Sequence, residues 1–255
     1  MKYIIIPALL FLFSCSPKPT TTDHPNFIFI LADDLGYGEL GVMGQQLIET
    51  PNLDALAKAG MILSDHYSGA PVCAPARAVL MTGLHAGHNP VRSNSEWGER
   101  GDVWSFKSMF EDSNLEGQRP MPDSIRTVAN ILKANGYKTG MVGKWGLGAP
   151  NTTSIPNNKG FDFFYGYNCQ RQAHNLFPSH LWRNGERHIL NNTIVNKGKL
   201  SDQLDPNDED SYAIYHQNDF APTLMHNEAM AFLDRNKENK FFLYLIIVEN
   251  GRQKF

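Results

Sequence analysis

The chain has 255 residues, 42% of them hydrophobic and 19% charged, and a formal net charge of −3. That length supports one large domain or two small ones. The mild negative balance and the absence of any basic block exclude a nucleic-acid surface, so an anionic ligand has to be met by individual cations.

Lys2, the apolar run at residues 3–13 and the small polar residues beyond it have the layout of a secretory signal, too short to span a bilayer comfortably. "LFSC", ending at Cys15, resembles a bacterial lipobox, in which the cysteine is lipidated and becomes the mature N-terminus. Residues 1–15 are therefore expected to be a lipoprotein signal peptide with lipidated Cys15, and residues 16–25 a short Pro/Thr-rich tether. The expected location is outside the bacterial cytoplasm, lipid-anchored to a membrane, in the periplasm or at the outer membrane. A cleaved, freely secreted chain is the plainer alternative.

Residues 26–34, "NFIFILADD", form a continuous run of β-formers that ends in two carboxylates, Asp33 and Asp34. Such a run predicts a strand buried on both faces of a parallel sheet. A glycine-rich loop follows. In "TPNLDALAKAG", Thr50 is placed as N-cap, Pro51 as first helical residue and Gly60 as stop, with Leu53, Leu56 and Ala57 on one face. "MILSDHYS", residues 61–68, predicts a second strand that runs into "SGAPVCAPARAVLMTG". There Cys73 lies between two prolines at the first turn of a helix over 76–81, with Pro75 at an early helical position, Arg77 close by and Gly83 as the stop. Helix N-termini draw anions through free N–H groups and the helix dipole. A nucleophile there, beside a guanidinium, points to chemistry on a negatively charged group. The ordinary alternative is a disulfide from Cys73 to Cys169, the one pairing left if Cys15 carries lipid.

The alternation then repeats. Residues 122–136 predict a helix with Ile125, Val128, Ala129 and Leu132 at helical spacing, and residues 137–144 a strand closing at Lys144. Residues 146–211 read as long loops with short elements. Residues 222–236 predict an amphipathic helix carrying Met225, Ala229, Phe232 and Leu233, and residues 240–248 another buried strand. Strands alternating with helices imply an α/β fold with a mostly parallel central sheet and helices on both faces. Ligands of such sheets bind beyond the carboxyl ends of the strands. Asp33, Asp34, Cys73 and Lys144 would therefore gather at one edge. Two adjacent carboxylates repel unless neutralised, and a hard divalent cation does this well; Ca²⁺ tolerates loose geometry better than Mg²⁺. Taken alone, such a pair is more commonly a solvated turn or a helix cap.

"CAPAR", residues 73–77, matches the C-x-P-x-R signature of the type I sulfatases, within the alkaline-phosphatase-like superfamily. "NFIFILADDLGYGELG" resembles that family's opening strand and metal-binding Asp pair, "ETPNLDALAKAGMILSDHYS" its next segment, and "GYKTGMVGKWGLG" its lysine-bearing strand end. The resemblance implies that a formylglycine-generating enzyme oxidises Cys73 to formylglycine, reading Pro75 and Arg77. The aldehyde hydrates to a diol: one hydroxyl attacks sulfur, and the other later loses its proton so that sulfate leaves. It also implies that Arg77 holds the hydrated aldehyde and Lys144 neutralises a sulfate oxygen. Ca²⁺ would be held by Asp33, Asp34 and the modified Cys73. The implied activity is that of a sulfuric ester hydrolase, arylsulfatase-like, acting on a sulfated small molecule or glycan.

The sequence departs from the family pattern in two places. Members commonly carry a histidine two residues after the lysine, where this chain has Gly146. His174, in "YNCQRQAHNLFPSHLWRNGE", is the candidate replacement as a substrate-binding residue, and His180 a weaker one; either is as readily an ordinary loop histidine. After "FFLYLIIV" the family continues with a histidine-bearing loop and an Asp-Asn metal pair, whereas here "ENGRQKF" follows. Residues 26–255 are thus expected to be an incomplete N-terminal catalytic domain, its C-terminal part missing and its Ca²⁺ affinity lowered. A phosphate or phosphonate monoester hydrolase of the same superfamily, and a non-catalytic lipoprotein, are the other readings.

Overall fold

The protein's computed structural model describes residues 24–194, 205, 207–215 and 217–248. The expected signal peptide with Cys15, residues 16–23 of the tether, and residues 249–255 lie outside the described residues. Six strands form one sheet: β1 (Phe27–Asp33), β2 (Lys138–Lys144), β3 (Phe163–Tyr167), β4 (His180–Arg183), β5 (Glu186–Ile189) and β6 (Phe241–Val248). Their spatial order is β1-β6-β2-β3-β4-β5. The first four neighbours run parallel, and β4 and β5 add an antiparallel ribbon. The register pairs Asp33 with Val248 and Lys144 with Tyr167, so β1, β2, β3 and β6 finish at a common edge.

Helices cover both faces, as expected. On one, α5 (Ala221–Asn236) buries Met225, Ala229 and Phe232 against Val142, Tyr165 and Leu243. On the other, α2 (Cys73–Thr82) and α4 (Val128–Ala134) pack Ala74, Ala78, Met81 and Ala129 against Met141, Phe164, Phe242 and Tyr244. Two further helices, α1 (Pro51–Ala59) and α3 (Phe106–Glu111), lie outside these layers.

Three expectations need correction. Residues 61–68 are not a strand: a strand exists through its ladder, and this segment pairs with none of the described strands. Met61, Ile62, Leu63 and Tyr67 are exposed, as are Leu53 and Leu56 of α1. β1, expected to be buried on both faces, is consequently an edge strand among the described residues, with Phe27, Ile28, Phe29 and Ile30 at 40% exposure or more. The helix expected over 122–136 begins only at Val128. Thr127 accepts from the Asn130 backbone N–H while the Asn130 side chain accepts from the Thr127 N–H, a reciprocal cap that fixes the start. The short elements expected among the loops of residues 146–211 are β3, β4 and β5. The turn between β4 and β5 is Asn184-Gly185, with Asn184 at φ 55°, which suits the right-handed twist of a tight hairpin.

Met141 is fully buried in the middle of the sheet. Met141→Ala should cost about 2–5 kcal/mol of stability. Urea unfolding followed by circular dichroism measures it, and an unchanged midpoint would contradict this packing.

Candidate active site

The segment around Cys73 folds as its composition demands. Val72 is extended, Cys73 opens α2, and Pro75 sits in the first turn, where its missing N–H costs no helical bond. Gly83 ends the helix at φ 68°, a left-handed value that glycine adopts without strain. Ala74, Arg77, Ala78 and Met81 form the buried stripe, with two alanines letting the helix approach the sheet closely. The spacing of four places Arg77 one turn below Cys73 on the same side of the helix, where the charges of the two side chains act on each other.

Arg77 is buried and held on three sides. Its Nε donates to the Trp145 carbonyl at 3.0 Å, its Nη2 donates to Gln170 Oε1 at 2.5 Å, and its Nη1 stands 4.0 Å from Asp33 Oδ1. Burial pulls its pKa down, opposed by Tyr244, Asp33 and Cys73. Lys144, fully buried at the end of β2, forms an ion pair with Asp33 Oδ2. Asp34 follows in a left-handed conformation at φ 69°, which turns the chain sharply at the sheet edge. Asp33, Asp34 and Cys73 each offer one donor atom, and the three lie within 4.8 Å of one another.

Topology thus brings together residues 33, 34, 73, 77 and 144. His174, in the loop after β3, joins them: burial, then the charge of Lys144, holds its imidazole below the usual range, and Asp33, Asp34 and Arg77 also act on it. His180 is elsewhere. Its Nε2 meets Glu116 Oε2 at 2.9 Å, and Trp182 and Arg187 donate to the same buried carboxylate at 2.6 and 3.0 Å. Burial opposes the charge on Glu116, but the bonds and charges of His180 and Arg187 outweigh it and keep its pKa low. This cluster ties the β4–β5 ribbon to the 109–116 segment. The cysteines are not bridged: Cys73 and Cys169 are both free, and the Cys169 thiol donates to Glu96 at 3.3 Å.

Sequence reasoning missed three participants, Trp145, Gln170 and Tyr244. A carbonyl acceptor and a polar loop residue leave no periodic signal. Tyr244 is hidden inside the apolar run of β6, where its buried hydroxyl faces Arg77 and Asp33. The glycine at 146 has a steric reason. It adopts φ 64°, and a Cβ there would meet Arg77 Nη2 at 2.6 Å.

A mostly parallel sheet with acidic and basic side chains converging at its carboxyl edge is the architecture of the alkaline-phosphatase-like class. The family model for sulfatases matches residues 25–251, and the chain belongs to the sulfatase family. It is 38% identical to human arylsulfatase D over 171 residues, covering 63% of this chain and 27% of that protein. Human steryl-sulfatase is 37% identical over 171 residues, covering 65% of this chain and 27% of that protein. Among solved structures, Ps i-CgsB in complex with k-i-k-neocarrahexaose superposes with a TM-score of 0.63 at 27% identity, covering 90% of this chain and 46% of that one. The chain therefore spans about a quarter of the length of these curated relatives and under half of that solved structure.

Glu96 supplies a test of the loop that carries His174, because it accepts from the Arg171 N–H at 3.0 Å. Burial pushes its carboxyl up to about 7. The folded chain then keeps a proton that the unfolded chain has released above about pH 4.5, so stability should fall as pH rises from about 4.5 to about 7. Glu96→Gln keeps an acceptor and removes the titration. Its unfolding free energy should be flatter across that window and higher than wild type at pH 7.5 by roughly 1–3 kcal/mol. Urea midpoints at pH 5 and 7.5 decide; an unaltered slope would argue against the burial of this carboxyl.

Proposed function

We propose that this chain carries the nucleophile centre of a sulfuric ester hydrolase, with Cys73 converted to formylglycine. The observation that supports this most directly is the folded C-x-P-x-R segment. It sets Cys73 against Asp33 and Asp34, with Arg77 and Lys144 buried behind them. Two cations around one carboxylate form a cradle for a doubly bonded oxyanion such as sulfate.

The donor set fits a hard cation once Cys73 is modified. Thiol sulfur is a poor partner for Ca²⁺ or Mg²⁺, whereas the carboxylates of Asp33 and Asp34 are good ones. In the unmodified chain the Cys73 Sγ stands in for an oxygen of the hydrated aldehyde. A cation bound there supplies charge neutralisation at the sulfate and acidifies the diol.

The chain's own residues then divide the work. One hydroxyl of hydrated residue 73 attacks sulfur, and the ester oxygen departs with a proton as the alcohol. The second hydroxyl gives up its proton, the carbonyl re-forms, and the C–O bond to sulfate breaks; water rehydrates the aldehyde. Arg77 fixes the diol from one helical turn below. Lys144 neutralises a sulfate oxygen, exchanging part of its contact with Asp33 for one with the substrate. His174 binds the sulfate or the leaving oxygen in place of the histidine that Gly146 excludes. A sulfated glycan is the substrate class we favour. The support is Ps i-CgsB, whose structure holds an oligosaccharide, and the expected lipid anchor at Cys15, which suits an exported bacterial protein in the periplasm or at the outer membrane.

Expression with a formylglycine-generating enzyme tests this. The peptide spanning residues 68–83 should show the mass change from CH₂SH to CHO, and aryl sulfate should be hydrolysed faster than aryl phosphate. Cys73→Ala should abolish turnover. An unaltered thiol at residue 73 would falsify the assignment, and a preference for phosphate would move the chain to the phosphoester hydrolases. Calcium titration calorimetry on Asp33→Asn and Asp34→Asn should show affinity reduced by about tenfold or more in each, since each loses a charged oxygen ligand. Equal affinity in both variants and wild type would place the ion elsewhere.

A further inference from the structure

Gln170 lies in the loop after β3, buried, and its amide touches two groups of the candidate site. Oε1 accepts from Arg77 Nη2 at 2.5 Å, and Nε2 stands 3.4 Å from His174 Nε2. A guanidinium has donors only, so the amide oxygen must be the atom that faces it. The NH₂ group is then turned toward His174. It too is donor-only, which requires a bare Nε2 on the ring and puts the proton of the neutral imidazole on Nδ1. The Gln170 backbone N–H donates to Gln118 Oε1 at 3.1 Å, so the residue is anchored through its main chain as well.

The room for this arrangement comes from residue 146. A Cβ there would stand 2.6 Å from Arg77 Nη2 and 3.2 Å from Gln170 Oε1. A side chain at that position would push the guanidinium out of its present place beside the Gln170 amide. The ordinary reading, that Gln170 merely satisfies its own buried amide, explains neither its choice of partners nor the glycine.

We infer that Gln170 is a positioning residue that ties the Arg77 guanidinium and the His174 imidazole into one unit, in space that a side chain on residue 146 would otherwise take. The kinetic consequences rest on the sulfatase reading; the geometry does not. Arg77 is thereby held against rotation about its long side chain, and His174 is held in one tautomer.

Two substitutions separate the contacts. Gln170→Met keeps length and removes both hydrogen bonds. Gln170→Glu keeps an acceptor for Arg77 but replaces the donor to His174 with an acceptor. The readouts are the ¹⁵N spectrum of His174, assigned with a His174→Asn variant, and kcat and KM on a chromogenic aryl sulfate with the full chain carrying formylglycine. In Gln170→Met the Nδ1–H preference should be lost and kcat should fall about tenfold or more, with KM within about twofold, as expected for misplaced catalytic groups. In Gln170→Glu the ring should hold its proton to higher pH, and the acidic limb of the pH–rate profile should move up. Wild-type tautomer and kcat in Gln170→Met, or an unmoved pH profile in Gln170→Glu, would overturn the inference. If loaded wild type shows no turnover, the proposed activity of this chain fails by itself, and the ¹⁵N spectra alone decide the role of Gln170.

Discussion

Everything at the carboxyl edge of the sheet depends on how Asp33 is neutralised. Its carboxylate lies between a buried lysine and a buried arginine, delivered by two elements far apart in sequence. Burying one member of such a group without the others is strongly unfavourable, because an uncompensated charge would be left in a poorly solvated place. The ion pairs therefore act as a lock on topology. β1 and β2 must end at the same edge, and α2 must lie across it with its first turn toward Asp33. The same charges that enforce this geometry suit a tetrahedral anion and a divalent cation, so structural and chemical demands coincide at one carboxylate.

Much of this was legible in the sequence. Asp33-Asp34 at the end of an apolar run, Cys73 at a helix start and Lys144 at a strand end each carried a local signal, and the rule that parallel strands present ligands at their carboxyl ends joined them. Those residues do converge. What could not be read was partnership across the fold. Nothing in "YNCQRQAHN" tells that Gln170 reaches Arg77 while its neighbour Arg171 stacks on Phe106, with its guanidinium 4.4 Å from the ring. His180, by sequence the weaker of the two loop-histidine candidates, is separated from the site by its burial beside Glu116.

The errors in the fold have similar causes. Residues 61–68 have strand-like composition, yet β-propensity describes how a residue fits a paired surface, and these residues have no such surface among the described strands. Asn184-Gly185 is a strong hairpin signal, but the residues flanking it lack the clean alternation that would mark β4 and β5 as strands: His180, Leu181 and Trp182 are all buried. The start of α4 was misplaced because helical spacing continues through Ile125, whereas the reciprocal Thr127–Asn130 cap sets the boundary.

The strand order has a temporal implication. β6, the last described strand in the chain, inserts between β1 and β2, the strands that end in Asp33 and Lys144. During synthesis the two halves of the carboxylate cradle cannot be brought into register until residue 248 has emerged, long after Cys73 has left the ribosome. Until that central strand slots home, the helix that opens at Cys73 lacks the finished sheet edge at which Arg77 meets Asp33. Completion of this edge thus waits on a segment some 170 residues downstream.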